Sequence, residues 1–164
     1  MSVIFHDVPL IPQNTSNTCW YACCRMIVEY HRQKRQQSTI AGGEVGQANV
    51  TATVEGNNTR LAWENFDALA RQANLRTTYL SPTPEGLVSL LVQKGPLIYS
   101  GITNGYRGYT GAGHSVVIKG CAANAASATV HILDPWEIGI GARISESFND
   151  FFNNIQAEAP FIHI

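Results

Sequence analysis

The chain has 164 residues, 45% of them apolar, and a formal net charge of -1. That length is the usual span of one domain, residues 1–164, able to bury a core without disulfide staples. There is no basic block and no run of apolar residues long enough for a membrane span, so neither nucleic acid nor a membrane is an expected partner. The segment Met1–Asp7 lacks a basic stretch followed by a long apolar one, so no Sec signal peptide is expected. A protein made that way either stays in the cytosol or leaves by a signal-independent machine.

In chain order, Val8-Pro9-Leu10-Ile11-Pro12 is broken by two prolines and suits an edge strand or an extended lead-in. A polar loop, Gln13 to Thr18, then runs into an apolar-periodic segment. Trp20, Cys23, Cys24, Ile27 and Tyr30 recur at helical spacing, and Asn17 or Thr18 can cap the first turn. This predicts a helix from about Cys19 to about Gln33. Residues 36–58 are rich in Gln, Gly, Asn, Thr and Ser and are expected to be mostly loop. A second helix is expected over Leu61 to Ala73. A third starts at Thr83-Pro84-Glu85 and stops at Lys94-Gly95-Pro96.

The pattern then changes to strands. Leu97–Gly101, Ser115–Lys119 and Thr129–Leu133 are β-rich runs, the last two joined by a small-residue turn around Asn124. Asn104 to Gly113, with four glycines and two tyrosines, reads as a mobile surface loop that helps grip substrate. Residues 139–141 are glycine-rich loop, Phe148 to Ile155 a short helix and Phe161–Ile164 a closing strand. Helices first and strands second, without a βαβ rhythm, indicate α+β: a leading helix packed on an antiparallel sheet.

Three of the four cysteines lie within six residues, Cys19, Cys23 and Cys24, the fourth being Cys121. That spacing is poor for a disulfide framework, so reduced thiols are expected. Cys19 falls in the first turn of its helix, at the positive end of the dipole, where a thiol's pKa falls. A turn centred on Asn124 pairs residues whose numbers sum to about 248, which sets His114 opposite Asp134. Pro135 holds Asp134 extended at its strand end. Cys, His and Asp are the parts of an activated thiol nucleophile: a base to take the thiol proton and a carboxylate to orient that base.

Gln13-x5-Cys19-Trp20, Gly113-His114-Ser115-Val116-Val117-Ile118-Lys119-Gly120 and Leu133-Asp134-Pro135-Trp136 resemble the papain-like cysteine peptidases. They are most similar to the bacterial branch that holds the AvrRpt2-type effectors and the C39-type bacteriocin-processing peptidases. The likeness covers about residues 8–136. It implies a papain-like fold whose N-terminal helix carries the catalytic cysteine and whose sheet carries His and Asp. It implies Cys19 as nucleophile, His114 as general base and then acid, and Asp134 orienting His114. Gln13 would donate its side-chain amide to the oxyanion, and Trp20 and Trp136 would shield the site. The implied activity is a cysteine-type endopeptidase acting on a target protein, with no cofactor and no metal. As a bacterial secreted effector or toxin it would be delivered into a target cell, more to the cytoplasm than the periplasm, alongside a cognate immunity or inhibitor protein.

Other readings stay open on these residues. The same triad serves transglutaminases, deamidases and amidases of cell-wall peptides, and a non-catalytic binding module could keep the fold. Cys19, Cys23 and His31 have helical spacing for zinc but lack the usual second ligand pair. Cys19 could be an ordinary buried thiol. Cys23, Cys24 and Cys121 read as packing, His31 as a solvated residue near a helix end, and His131 as structural, since alternation turns it away from the Asp134 face.

Overall fold

The computed structural model describes residues 2–35, 70, 75–79, 81–157 and 160–164. Among these, one eight-stranded antiparallel sheet contains β1 (Ser2–Phe5), β2 (Arg76–Thr78), β3 (Leu97–Tyr106), β4 (Tyr109–Ala123), β5 (Ala128–Asp134), β6 (Ala142–Ser147), β7 (Ile155–Ala157) and β8 (Phe161–His163). The order is β2-β8-β3-β4-β5-β6, with β1 added beside β4 and β7 beside β3. Among the described residues the helices with stated bounds are α1 (Cys19–Arg35), α2 (Pro84–Lys94) and α3 (Phe148–Asn154).

The middle strands read as continuous apolar runs because both faces of the sheet are covered. Ile98, Val117 and Leu133 pack with Tyr21 and Ile27 of α1. Their neighbours Leu97, Tyr99, Val116, Ile118 and Ile132 pack with Leu87 and Leu91 of α2 and Phe151 of α3. Alternate residues of each strand thus serve different helices, and each fully buried aliphatic side chain contributes roughly 1.5–3 kcal/mol. The cap signals at α2 act as expected. The Thr83 hydroxyl accepts from Gly86 N–H at 3.1 Å, and Gly95, at φ 82, donates its N–H to Leu91. Ser147 caps α3 by accepting from Asp150 N–H at 3.1 Å. No described helix is long and apolar enough to cross a membrane.

Four expectations change. Residues 104–113 are not a loop: β3 and β4 continue through them as a hairpin that turns at Arg107-Gly108, both at positive φ. The leading strand is Ser2–Phe5, while Val8 to Pro12 pairs with no strand among the described residues, which removes the edge-strand alternative and leaves that of a lead-in. The β4–β5 connection is wider than a turn on Asn124, since Asn124 N–H bonds the Ser127 carbonyl and its Oδ1 accepts from Ala126 and Ser127 N–H. β6 carries little signal in the sequence: its burial alternates, but of the half-buried positions Ala142, Ile144 and Glu146 only Ile144 is a strong apolar strand former. The helix expected over 61–73 lies outside the described residues except for Ala70, which is helical and buried, and the 36–58 loop lies wholly outside them.

Candidate active site

α1 begins where the sequence places it. The Thr18 carbonyl takes the first helical bond, from Ala22 N–H at 3.1 Å, while the Thr18 hydroxyl turns back to the Thr15 carbonyl at 3.1 Å. Cys19 is therefore the first helical residue. Its sulfur lies in hydrogen-bonding range of the His114 ring and of the backbone N–H groups of Ser115 and Trp20. Of the four cysteines, Cys19 alone keeps surface, 9% exposed against 0% for Cys23, Cys24 and Cys121. All four are free thiols.

His114 sits on β4 opposite Gly101 of β3. Its Nε2 is 2.8 Å from Asp134 Oδ1, which leaves Nδ1 as the ring nitrogen for Cys19. Asp134 closes β5 and its side chain is 1% exposed. Oδ1 also accepts from Trp136 N–H at 2.8 Å, and Oδ2 accepts from Arg107 Nη1 at 3.0 Å. His114 and Asp134 are not directly opposite, as a sum of 248 would have them. The pairs Gly120–His131 and Val117–Leu133 sum to 251 and 250, so Asp134 falls opposite Val116 and reaches His114 on the diagonal.

The ionisation of these groups follows from their contacts. Burial alone would push the Cys19 thiol up, but the His114 hydrogen bond and charge, with the Ser115 and Trp20 N–H groups, hold it below the ordinary thiol value. Burial would lower His114, but hydrogen bonds to Asp134 and Cys19 raise it to about 9. Asp134 would be raised by burial, yet His114, Trp136 N–H and Arg107 bring it to about 2. The arrangement favours thiolate, imidazolium and carboxylate together. Cys24 and Cys121 are pushed up to about 12 and about 11 by burial, and Cys23 well above the ordinary value.

Gln13 is buried, and its side-chain Nε2–H donates to the Thr15 carbonyl at 2.7 Å while Oε1 has no hydrogen-bond partner. An amide nitrogen carries two hydrogens, so one donor remains for another acceptor. The Gln13 backbone is tied to the far side of the site: its N–H bonds the Pro135 carbonyl and its carbonyl accepts from Gly139 N–H, each at 3.0 Å. Trp20 is buried in the core against Tyr21. Trp136 is half-buried and donates Nε1–H to the Tyr109 hydroxyl at 2.8 Å. Among the described residues no group of three or more His, Cys, Asp or Glu side chains is placed to hold a metal ion. His31 is half-buried rather than solvated, its ring beside Gly95, and His131 bonds Ser145 and packs on Phe5.

The family described as papain-like cysteine protease AvrRpt2 matches residues 2–156. The chain belongs to that family. The match is wider than the stretch of 8–136 that carries recognisable motifs. As an AvrRpt2-family protein, the chain is a cysteine-type peptidase with a papain-like fold. Its fold is similar to that of a double-glycine-motif protease from an AMS/PCAT transporter, solved in complex with the leader peptide. There the TM-score is 0.55 and identity 18%, over 99% of this chain and 96% of that one. A structure from work on the mite allergens Blo t 1 and Der p 1 matches with a TM-score of 0.54 and 12% identity, over 95% of this chain and 66% of that one. No curated protein sequence matches.

Sequence reasoning did not single out Tyr106 or Arg107 of the β3–β4 turn. The Tyr106 ring lies 5.9 Å from the His114 ring, centroid to centroid, and Arg107 binds Asp134. A tyrosine and an arginine before glycine in a glycine-rich stretch look like loop decoration. Only the hairpin register carries them to the triad.

Proposed function

We propose that this protein hydrolyses peptide bonds of a target protein through Cys19, His114 and Asp134. The observation that carries the reading is the His114 Nε2–Asp134 Oδ1 contact of 2.8 Å, with a helix-terminal sulfur as the ring's other partner. In this scheme the Cys19 thiolate attacks the scissile carbonyl carbon and the carbonyl electrons move to oxygen. The free Gln13 amide hydrogen and a backbone N–H at the start of α1 hold that oxyanion. His114, protonated at Nδ1, gives its proton to the leaving amine as the carbon–nitrogen bond breaks. Its Nε2–H stays on Asp134 throughout. The acyl-thioester is then hydrolysed: His114, now neutral, takes a proton from water, the hydroxide adds to the carbonyl, and the thiolate leaves. Trp20 and Trp136 flank the machinery and limit water around it.

Family membership supports a further reading: an effector that acts in the cytoplasm of another cell and is held in check in its producer by a cognate inhibitor protein. The transporter protease seen with a leader peptide is consistent with a polypeptide substrate. Proteomics of cells expressing wild type against Cys19→Ala tests the proposal. New peptide ends confined to the wild-type sample support it. Mass shifts on intact chains, or incorporation of an added amine without chain cleavage, would replace it with deamidation or transamidation on the same residues.

A further inference from the structure

We infer that Arg107, at the tip of the β3–β4 turn, is a positioning residue that holds the Asp134 carboxylate, and through it the His114 ring, in working orientation. The inference rests on the Cys19–His114–Asp134 reading and adds a fourth residue to it, reached from a separate hairpin.

The Asp134 carboxylate is almost fully enclosed, so water cannot complete its coordination. Oδ1 is occupied by His114 Nε2 and Trp136 N–H. Oδ2 depends on Arg107 Nη1 at 3.0 Å. The other Arg107 nitrogen, Nη2, holds Glu137 at 2.9 Å, so one planar guanidinium bridges two carboxylates three residues apart. The second bridge restrains the guanidinium and fixes the direction from which it meets Oδ2.

Turn chemistry does not explain an arginine here. Arg107 has φ 48 and is followed by Gly108 at φ 85, a two-residue hairpin turn of the kind that favours asparagine and glycine. Glu137 is also left-handed, at φ 69. The two non-glycine residues described with positive φ are thus the two joined by this ion pair. The turn has other holds on the same segment. The Tyr109 hydroxyl accepts from Trp136 Nε1–H and the two rings meet edge-on at 5.7 Å. Tyr106 lies under His114, its hydroxyl buried beside Asp134. The turn therefore grips the Asp134–Glu137 segment from one side, as Gln13 does by backbone bonds from the other.

The groups facing Asp134 are His114 of β4, Tyr106 and Arg107 of the hairpin and, farther off, Cys23 of α1; Glu137 is reached through Arg107. Without Arg107, Oδ2 has only the Tyr106 hydroxyl to turn to. The carboxylate then rotates toward that donor, its bond to His114 Nε2 lengthens, and the imidazolium that supports the Cys19 thiolate loses its partner. Loss of Arg107 also removes a positive charge that opposes the imidazolium, but that charge acts across the carboxylate, whereas the hydrogen bond is direct.

The test is the pH profile of Cys19 alkylation by iodoacetamide in the full chain, with peptide-substrate kinetics alongside. Arg107→Gly suits the left-handed backbone, and Arg107→Gln keeps the native backbone strain while removing the charge. Both are expected to move the acid inflection of alkylation toward that of an ordinary thiol. Both should lower kcat by roughly ten- to a hundredfold with KM little changed, the size expected of a misplaced catalytic group. Arg107→Lys should recover part of the loss. If either folded variant keeps the wild-type inflection and kcat, the inference is overturned. It is equally overturned by a rise in KM alone, which would make Arg107 a substrate contact, or by full restoration of both readouts in Arg107→Lys, which would make it only a nearby positive charge. A wild-type Cys19 that alkylates no faster than a free thiol at neutral pH would instead remove the triad reading itself.

Discussion

His114 and Asp134 share a face of the β4–β5 ladder because Lys119 is an extra residue in β4. Near the hairpin end Gly120 pairs with His131, and beyond Lys119 the pair is Ile118 with Ile132. Had the first register continued, Asp134 would face Val117, whose side chain points away from the His114 face. One bulged residue restores the parity and brings the carboxylate within 2.8 Å of the ring. The bulge is followed by Gly120, where a Cβ would lie 2.7 Å from the Ile4 carbonyl, so β1 closes tightly over this irregular point.

Thiol reactivity is the first expectation to check. At neutral pH a small alkylating reagent should modify Cys19 and spare Cys23, Cys24 and Cys121, all three fully buried with raised pKa values. Peptide mapping by mass spectrometry after brief labelling reads this directly. Labelling of Cys121 at a rate comparable to Cys19 would contradict it.

The same contrast shows how much the sequence could tell. The start of α1 was legible because the polar stretch Gln13–Thr18 gives way at once to helical apolar spacing, and α2 because Thr83, Pro84 and Gly95 mark its two ends. Cys19, His114 and Asp134 could be nominated from residue type and motif order. Their meeting was reached by an incorrect register: the sum of 248 had the right parity only because a wider turn and the Lys119 bulge offset each other. The outer halves of β3 and β4 were illegible because exposed strand residues carry no burial pattern and their glycines imitate a loop. The contact of Arg107 with Asp134 joins residues 27 apart in the chain, and no local signal encodes it.

Replacing the catalytic groups should separate activity from stability. Cys19→Ala is expected to lower kcat/KM by at least ~10³-fold while changing stability by less than about 1 kcal/mol, since it removes one atom at the rim of the core. His114→Ala should abolish activity as fully. It should also lower stability by about 1–3 kcal/mol, because it strips a buried carboxylate of a partner while Arg107 retains part of the compensation. Denaturant titrations alongside kinetics would show the difference; equal stabilities for the two variants would mean that the His114–Asp134 bond contributes nothing net.

The pH dependence has a defined sign. The folded pKa of His114 is raised to about 9, so its contribution is complete below its unfolded value of 6.5 and is lost as pH rises through about 9. The folded pKa of Asp134 is depressed to about 2, so its contribution is present above 3.8 and is lost as pH falls through about 2. The stability difference between wild type and His114→Gln should therefore be largest between these windows, around pH 4 to 6.5, and shrink on both sides. Activity should follow a bell, with an acid limb below an ordinary thiol's and an alkaline limb near 9. Thermal midpoints and kcat/KM measured across pH test both, and a stability difference that grows toward pH 9 would reverse the assignment.

Gln13 should matter to rate more than to binding. Gln13→Ala removes the proposed oxyanion donor and is expected to lower kcat by ~10²–10³-fold with KM little changed. It also loses the bond to the Thr15 carbonyl, a cost of about 1 kcal/mol. Its backbone bonds to Pro135 and Gly139 do not depend on the side chain, so the Asp134 segment should stay in place. Cys19 alkylation in Gln13→Ala should accordingly keep the wild-type pH profile. A shifted profile would mean that Gln13 acts by holding the triad rather than the oxyanion.

Gly101 carries the last expectation. It pairs with His114 on one side and with Ala157 of β7 on the other, and a Cβ there would overlap the Gln156 carbonyl. Its need for glycine is close approach of another backbone, not a left-handed φ. Gly101→Ala must therefore displace β7 or shift the strand that backs His114, at a cost of about 1–3 kcal/mol. Gly111→Ala is the informative comparison, because Gly111 has φ 76 but open space around it, so only backbone strain of about 1–2 kcal/mol is expected. If β7 gives way, stability falls while kcat holds; if β3 moves, both fall together. Thermal melts with kinetics on the two variants distinguish these, and a Gly101→Ala protein as stable and active as wild type would show that the β3–β7 contact has room the packing denies.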